Sequence, residues 1–294
     1  MSADRQPQDT RPGHWDAFTF VQALAAEASA GRIEIPAFPD VAMRIRRVLA
    51  DDNCDAGKVA KVVSAEPALA AKLLHMSNSA AFNPGSSRVT ELKGAIARLG
   101  FANVRTASLA YAMEQLRNAE ALEPMRVPLN ALWERSVRVA AMAYVAARAW
   151  TRISPDHALL AGLMHAMGQL YILTRSAGHP GLFADAAAYQ QIVSKWQAPI
   201  ARLVLESWEM SPDVVDAVEK FEHPDREPGA SPDLTDVLSV AYLLACFPTD
   251  PEALEAQLAA TTASQRLGLS GESVQKVLQE SAAELASLHA ALGG

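Results

Sequence analysis

The 294-residue chain is 50% hydrophobic and 20% charged, so it is long and apolar enough to bury a sizeable core as one large or two small domains. Its net charge of −7 and pI near 5.5, with no Lys/Arg-rich block, argue against tracking a phosphate backbone, so no nucleic-acid partner is expected. The two cysteines, Cys54 and Cys246, are far apart and form no CxxC. They fit a reduced, cytoplasmic compartment rather than a disulfide or zinc framework.

Alanine and leucine dominate the apolar content, aromatics are only 6%, and β-branched runs are scarce, which predicts an all-α fold. Residues 1–14 are polar and read as a disordered N-terminus without the apolar stretch of a signal peptide. A helix is predicted from Trp15 to about Ala30, then an extended stretch set by Pro36 and Pro39. Val41, Ile45, Val48 and Leu49 form a helical stripe, and a short helix follows over about Gly57 to Ser64. Pro67 suits the first turn of the next helix, ALAAKLLHMSNSAAF, which runs to a loop at 83–87. Thr90 is read as the cap of ELKGAIARLG, with Gly100 as its stop, and a long helix is predicted from Asn103 to Arg117.

Residues 118–129 read as a linker, followed by a helix from about Asn130 to Trp150. Ser154 to Thr174 then reads as one continuous helix of roughly 18 residues, ~27 Å long. Ser154 caps it and Pro155 takes the first position, and apolar residues surround it, which places it inside the protein. His157, His165, Gln169 and the flanking Asp156 and Arg175 make it a soluble core helix rather than a membrane span, so no membrane association is expected. Residues 183–209 read as helical with a break near Pro199, and Pro212 opens another helix. Residues 223–233 carry three prolines, a glycine and four charges and read as a mobile loop. Helices are predicted over Leu234 to Phe247 and, with an interruption near Gly268–Gly271, over about Glu252 to Leu292.

Two sets of motifs carry a resemblance. Leu163-Met164-His165-Ala166-Met167-Gly168-Gln169-Leu170 is similar to the LLHDIGKL element of the HD superfamily of metal-dependent phosphohydrolases. More specifically, Pro36 and Pro39, Glu66-Pro67-Ala68-Leu69, Asn78-Ser79-Ala80 and Leu99-Gly100 follow in the order of the HDOD (HD-related output domain) family. The resemblance implies an N-terminal helical bundle of HDOD type (15–120) packed against a degenerate HD-like helical domain (121–250), and beyond it residues 251–294 read as a C-terminal helical extension. It implies structural roles for Pro67, Asn78, Ser79, Gly100, Gly162 and Gly168. Asn78 would fix the loop that follows it.

The chain departs from the HD pattern at the metal ligands. His165 is present, but Ala166 stands where the paired Asp would be. Arg135, in Trp133-Glu134-Arg135-Ser136, takes the place of a ligating His, and a guanidinium cannot bind a metal. Gln197, Phe221 and Glu222 occupy the later ligand positions, with His223 one place on. No catalytic residue, metal or cofactor is therefore expected. His165 reads as a core histidine bonded to a neighbour, or with Arg135 as a contact to a bound anion. Arg135 is expected to pair with Glu134, another carboxylate or that anion.

The expectation is a non-catalytic, cytoplasmic bacterial signal-transduction module that binds a protein partner or small ligand. By family resemblance, such partners are signalling proteins of cyclic di-GMP or two-component pathways. The alternative is a residual metallophosphohydrolase acting on a phosphate ester or cyclic nucleotide. It would need Glu134, Asp156, His165 and His223 to converge in space. A third reading is an oligomerisation scaffold built on the apolar C-terminal helix. The sequence leaves the oligomeric state open.

Overall fold

The structure is a computed structural model that describes residues 12–30, 35, 39–85, 87–179, 182, 186–223, 231–246 and 251–293. The fold is all-α: among these residues every regular element is a helix. The chain starts with α1 (Pro12–Ser29), α2 (Asp40–Leu49), α3 (Ala56–Val63), α4 (Pro67–Ser77) and α5 (Leu92–Arg117). After a 3-10 turn at Glu120–Met125 come α6 (Arg126–Trp150), α7 (Pro155–Met164), α8 (Met167–Ser176), α9 (Ala186–Ser207), α10 (Pro212–Lys220) and α11 (Leu234–Cys246). Four shorter helices close it: α12 (Pro251–Ala260), α13 (Thr262–Arg266), α14 (Gly271–Glu280) and α15 (Ala282–Leu292).

Local chemistry sets many of these ends. Pro67, Pro155 and Pro212 each open a helix at a position whose N–H has no intrahelical partner. The Asp55 carboxylate accepts from the backbone N–H of Gly57 and Lys58 and caps α3. Gly100, at φ 73°, divides α5 into two segments, a left-handed backbone that an L side chain resists. Asn78 ends α4 and ties it to the loop beyond. Its Nδ2 donates to the carbonyls of Leu74 and Val89, and its Oδ1 accepts from the Val89 N–H, all at 2.8 Å.

α2, α3 and α4 pack on α5, and α1 lies against α9. α6 is the hub, contacting α7, α11 and α15. One buried apolar cluster runs from Phe20 in α1 to Leu292 in α15. A second gathers Val240, Leu243 and Leu244 of α11 with Leu254, Leu258 and Val274. α11 lies between the two, which is why its sequence is apolar on every side. Leu288, Ala291 and Leu292 of α15 are buried within the chain, and the Trp133 indole donates to the Gly293 carbonyl at 2.9 Å. The apolar face that suggested an oligomerisation helix is thus used internally. No helix of the described residues is long and apolar enough to cross a membrane.

The structure corrects several expectations. Ser154 does cap α7, accepting from the His157 N–H, but the single helix over 154–174 is two helices, broken at His165–Ala166. There the His165 ring bonds the Gly162 carbonyl, and α8 turns to meet α9. Thr90 caps nothing: the N-cap of α5 is Glu91, with no side-chain bond. The helix opened by Pro67 ends at Ser77 rather than running to Phe82. The linker expected over 118–129 holds the 3-10 turn and the first turn of α6, where Pro128 costs no hydrogen bond. Pro199 does not break α9; it lies on the exposed side, where water can take the freed carbonyl. The helix begins at Pro12, inside the stretch read as disordered. Most of the loop read as mobile, 224–230, lies outside the described residues, as do residues 1–11.

Candidate functional site

Two glycines bring together the helices that build the site. A Cβ on Gly162 would stand 2.5 Å from the Cα of Ala140, so α7 presses directly on the backbone of α6. A Cβ on Gly168 would overlap the backbone carbonyl of Gln197, so α8 meets α9 at the residue that reaches the site. α10 and α11 close the other side. Between these helices lies a cavity of about 480 Å³. Its lining includes all the in-register positions: Arg135, His165, Ala166, Gln197, Phe221 and Glu222, with His223 at the rim.

His165 forms part of the floor and is 6% exposed. Its Nδ1–H donates to the Gly162 carbonyl at 2.7 Å, which fixes the tautomer and leaves a lone pair on Nε2. Nε2 is buried without a hydrogen-bond partner. The ring is edge-on to Phe221 at 5.8 Å and tilted against Tyr242 at 5.6 Å. Burial, with a smaller push from the Arg135 charge, brings its pKa from 6.5 down to about 3 against the opposing Gly162 bond. His165 is therefore neutral at physiological pH.

Arg135 does not pair with Glu134. Its Nη2 donates to the Gln169 side-chain oxygen, and its guanidinium carbon stands 6.0 Å from the centre of the Tyr242 ring. Its Nε is buried without an acceptor. Glu134 points away and faces His289 at 3.5 Å. Glu222 is held by Gln197, which donates to it, and burial raises its pKa against the pull of Arg135 and His223. Burial also pushes the Tyr242 and Tyr189 phenols up to about 12, so both stay protonated.

These residues do not fit a divalent metal. A permanent cation, Arg135, occupies one ligand position and Ala166 another, so of the in-register positions only His165 still carries a nitrogen lone pair. Of the two carboxylates that line the cavity, Glu222 accepts from the Gln197 amide and Glu219 is paired with Arg202. The set required for a residual metal centre does not assemble. Glu134 faces α15, and Asp156 sits in the first turn of α7, nine residues or ~13 Å along the helix axis from His165. Among the described residues, no three His, Cys, Asp or Glu side chains are grouped to hold a metal ion.

Sequence reasoning missed Tyr242, Gln190 and Ser194, which also line the cavity. Gln190, Ser194 and Gln197 follow i, i+4, i+7 on α9, a polar stripe at helical spacing that could have marked a wet face. Tyr242 carried no such signal. The motif residues Pro67, Asn78, Ser79 and Gly100 lie away from this cavity. Asn78 borders an open groove of about 910 Å³ beside α4 and the 83–90 loop.

An all-helical chain with a His-Ala pair at a helix junction fits the HDOD-type pattern of its motifs. The sequence matches the HDOD domain over residues 35–224, and the chain belongs to that family. A protein from Shewanella amazonensis SB2B, provisionally described as a metal-dependent phosphohydrolase, has a solved structure similar to this one at a TM-score of 0.76. The two are 24% identical over 95% of this chain and 99% of that one. An HDOD domain protein with unknown function from Geobacter sulfurreducens is similar at a TM-score of 0.59 and 18% identity, over 92% and 96% of the two chains. A protein from Marinobacter aquaeolei VT8, provisionally described as a signal transduction protein, has a TM-score of 0.59 and 20% identity, over 96% of this chain and 66% of that one. At these identities the likeness shows the fold alone. No curated protein matches the sequence.

Proposed function

We propose that this protein is a regulatory signal-transduction module that acts by binding, not by metal-dependent hydrolysis. The observation that carries the reading is Arg135 in the position of a metal ligand, with its guanidinium beside a neutral, carbonyl-bonded His165. A guanidinium cannot give up a proton to become a ligand, and it repels a second cation. Hydrolysis of a phosphate ester by this fold's route needs a metal to lower the pKa of bound water. The same arrangement suits recognition: a cation, several amides and hydroxyls and two aromatic rings face a cavity of small-molecule size. Membership of the HDOD family and the Marinobacter aquaeolei protein's description as a signal transducer support a regulatory role.

The test is hydrolysis of bis-p-nitrophenyl phosphate and p-nitrophenyl phosphate with manganese, zinc or iron present. The reading predicts no release above buffer, and no change on replacing His165 with Asn. Turnover that the His165→Asn variant loses would overturn it.

A further inference from the structure

We propose that the Arg135 cavity binds a small organic oxyanion, its phosphate or carboxylate held by the two-pronged guanidinium and its organic body by the aromatic wall. The inference deepens the reading above and rests on the cavity being a binding site.

Charge balance is the first argument. Arg135 is only partly exposed, and among the described residues no carboxylate lies within ion-pair distance of it. Its one hydrogen-bond acceptor among the described residues is the neutral Gln169 oxygen, and its Nε has none. Glu222 is close enough to feel the charge but is bound to Gln197. Arg202, by contrast, meets three carboxylates, those of Glu206, Asp216 and Glu219. A half-buried guanidinium with no carboxylate in direct contact leaves part of its charge unanswered. An anion in the cavity answers it through two parallel N–H···O bonds, the geometry a guanidinium is built for.

The second argument is the set of groups around it. His165 is more than nine-tenths buried in the same floor, with Nε2 unpartnered and carrying a lone pair. A hydroxyl or N–H on the ligand's body answers it. Gln190 and Ser194 on α9 add donors at the rim, opposite Arg135 on α6. Size is the third argument. At about 480 Å³ the cavity has the volume of a metabolite site, and a bare inorganic anion would leave most of it unfilled. The rings of Tyr242 and Phe221, packed edge to face with centres 5.2 Å apart, line the cavity and offer the rest of the ligand an apolar surface.

Calorimetric titration of the full chain tests this. The probes are phenyl phosphate and benzoate, with inorganic phosphate as the anion without a body and phenol as the body without a charge. The expected result is that at least one aryl oxyanion binds about tenfold or more tightly than either control. Which one binds tells phosphomonoester from carboxylate. Arg135→Gln loses at least about tenfold in affinity, and Arg135→Lys, which keeps the charge but not the fork, falls between. Should Arg135→Gln fail to fold, Arg135→Lys alone still decides. Failure of both aryl oxyanions to bind, binding no tighter than that of inorganic phosphate, or wild-type affinity in Arg135→Lys and Arg135→Gln would overturn the inference. Phosphate released from phenyl phosphate by the metal-supplemented protein would overturn the functional reading instead.

Discussion

Acid weakens this fold through one buried side chain, His165, and the size of the effect follows from its surroundings. In the unfolded chain the imidazole titrates near 6.5, whereas in the folded chain burial and the Arg135 charge hold it down to about 3. The folded state therefore binds this proton more weakly than the unfolded one. The sign follows: no contribution above about pH 7, a penalty that grows as pH falls below 6.5, and saturation below about 3. Between about pH 7.5 and pH 5 the penalty is about 2 kcal/mol, at 1.36 kcal/mol for each unit below 6.5. The comparison is with His165→Asn, whose amide can still donate to the Gly162 carbonyl but does not titrate. Urea unfolding of both proteins at each pH isolates this residue, because every other histidine and carboxylate cancels in the difference. The wild type loses about 2 kcal/mol more than the variant over that interval. A difference below about 0.5 kcal/mol would mean that His165 titrates as in water, and the dry, cation-flanked floor described for the cavity would be wrong.

Three further outcomes follow from the same geometry. Gly168→Ala drives a methyl into the Gln197 backbone and costs about 3 kcal/mol or more, while Gly94→Ala, whose nearest neighbour is the flexible Val89 side chain at 3.3 Å, is neutral or slightly stabilising; thermal unfolding compares them. Asn78→Ala removes the three 2.8 Å bonds that tie α4 to Val89 and costs about 2–4 kcal/mol, read as a lower urea midpoint and faster amide exchange at Val89. The double variant Arg135→His/Ala166→Asp places a second imidazole and a carboxylate beside His165. It takes up zinc or manganese that the parent does not, measured as metal retained after dialysis.

Much of this architecture is legible in the residues. Proline at a first helical position marks α4, α7 and α10, and Gly100 marks the division of α5, because each acts through its own backbone. The positions that line the cavity floor were legible too, since Arg135, His165 and Gln197 sit at fixed places on regular helices. What escaped is tertiary. The break at His165–Ala166 has no local signature: apolar residues run through it, and only the ring-to-carbonyl bond and the close approach of Gly168 to α9 account for it. Pro199 misled in the opposite direction, because its exposed setting is invisible in sequence. The choice of Gln169 rather than Glu134 as the partner of Arg135 depends on where α15 draws Glu134 away, more than a hundred residues downstream. Tyr242 joins the cavity only because α11 folds back against α6 and α10.

The account stands on the claim that the HD-type ligand set is dismantled here and a guanidinium fills its place. The most direct measurement is the metal content of the purified full chain by elemental mass spectrometry, after dialysis with manganese, iron and zinc present and then against metal-free buffer. The account predicts well under one equivalent of any metal per chain. One or two tightly held equivalents would contradict it, and would mean that the groups around Arg135 and His165 rearrange into a working metal site.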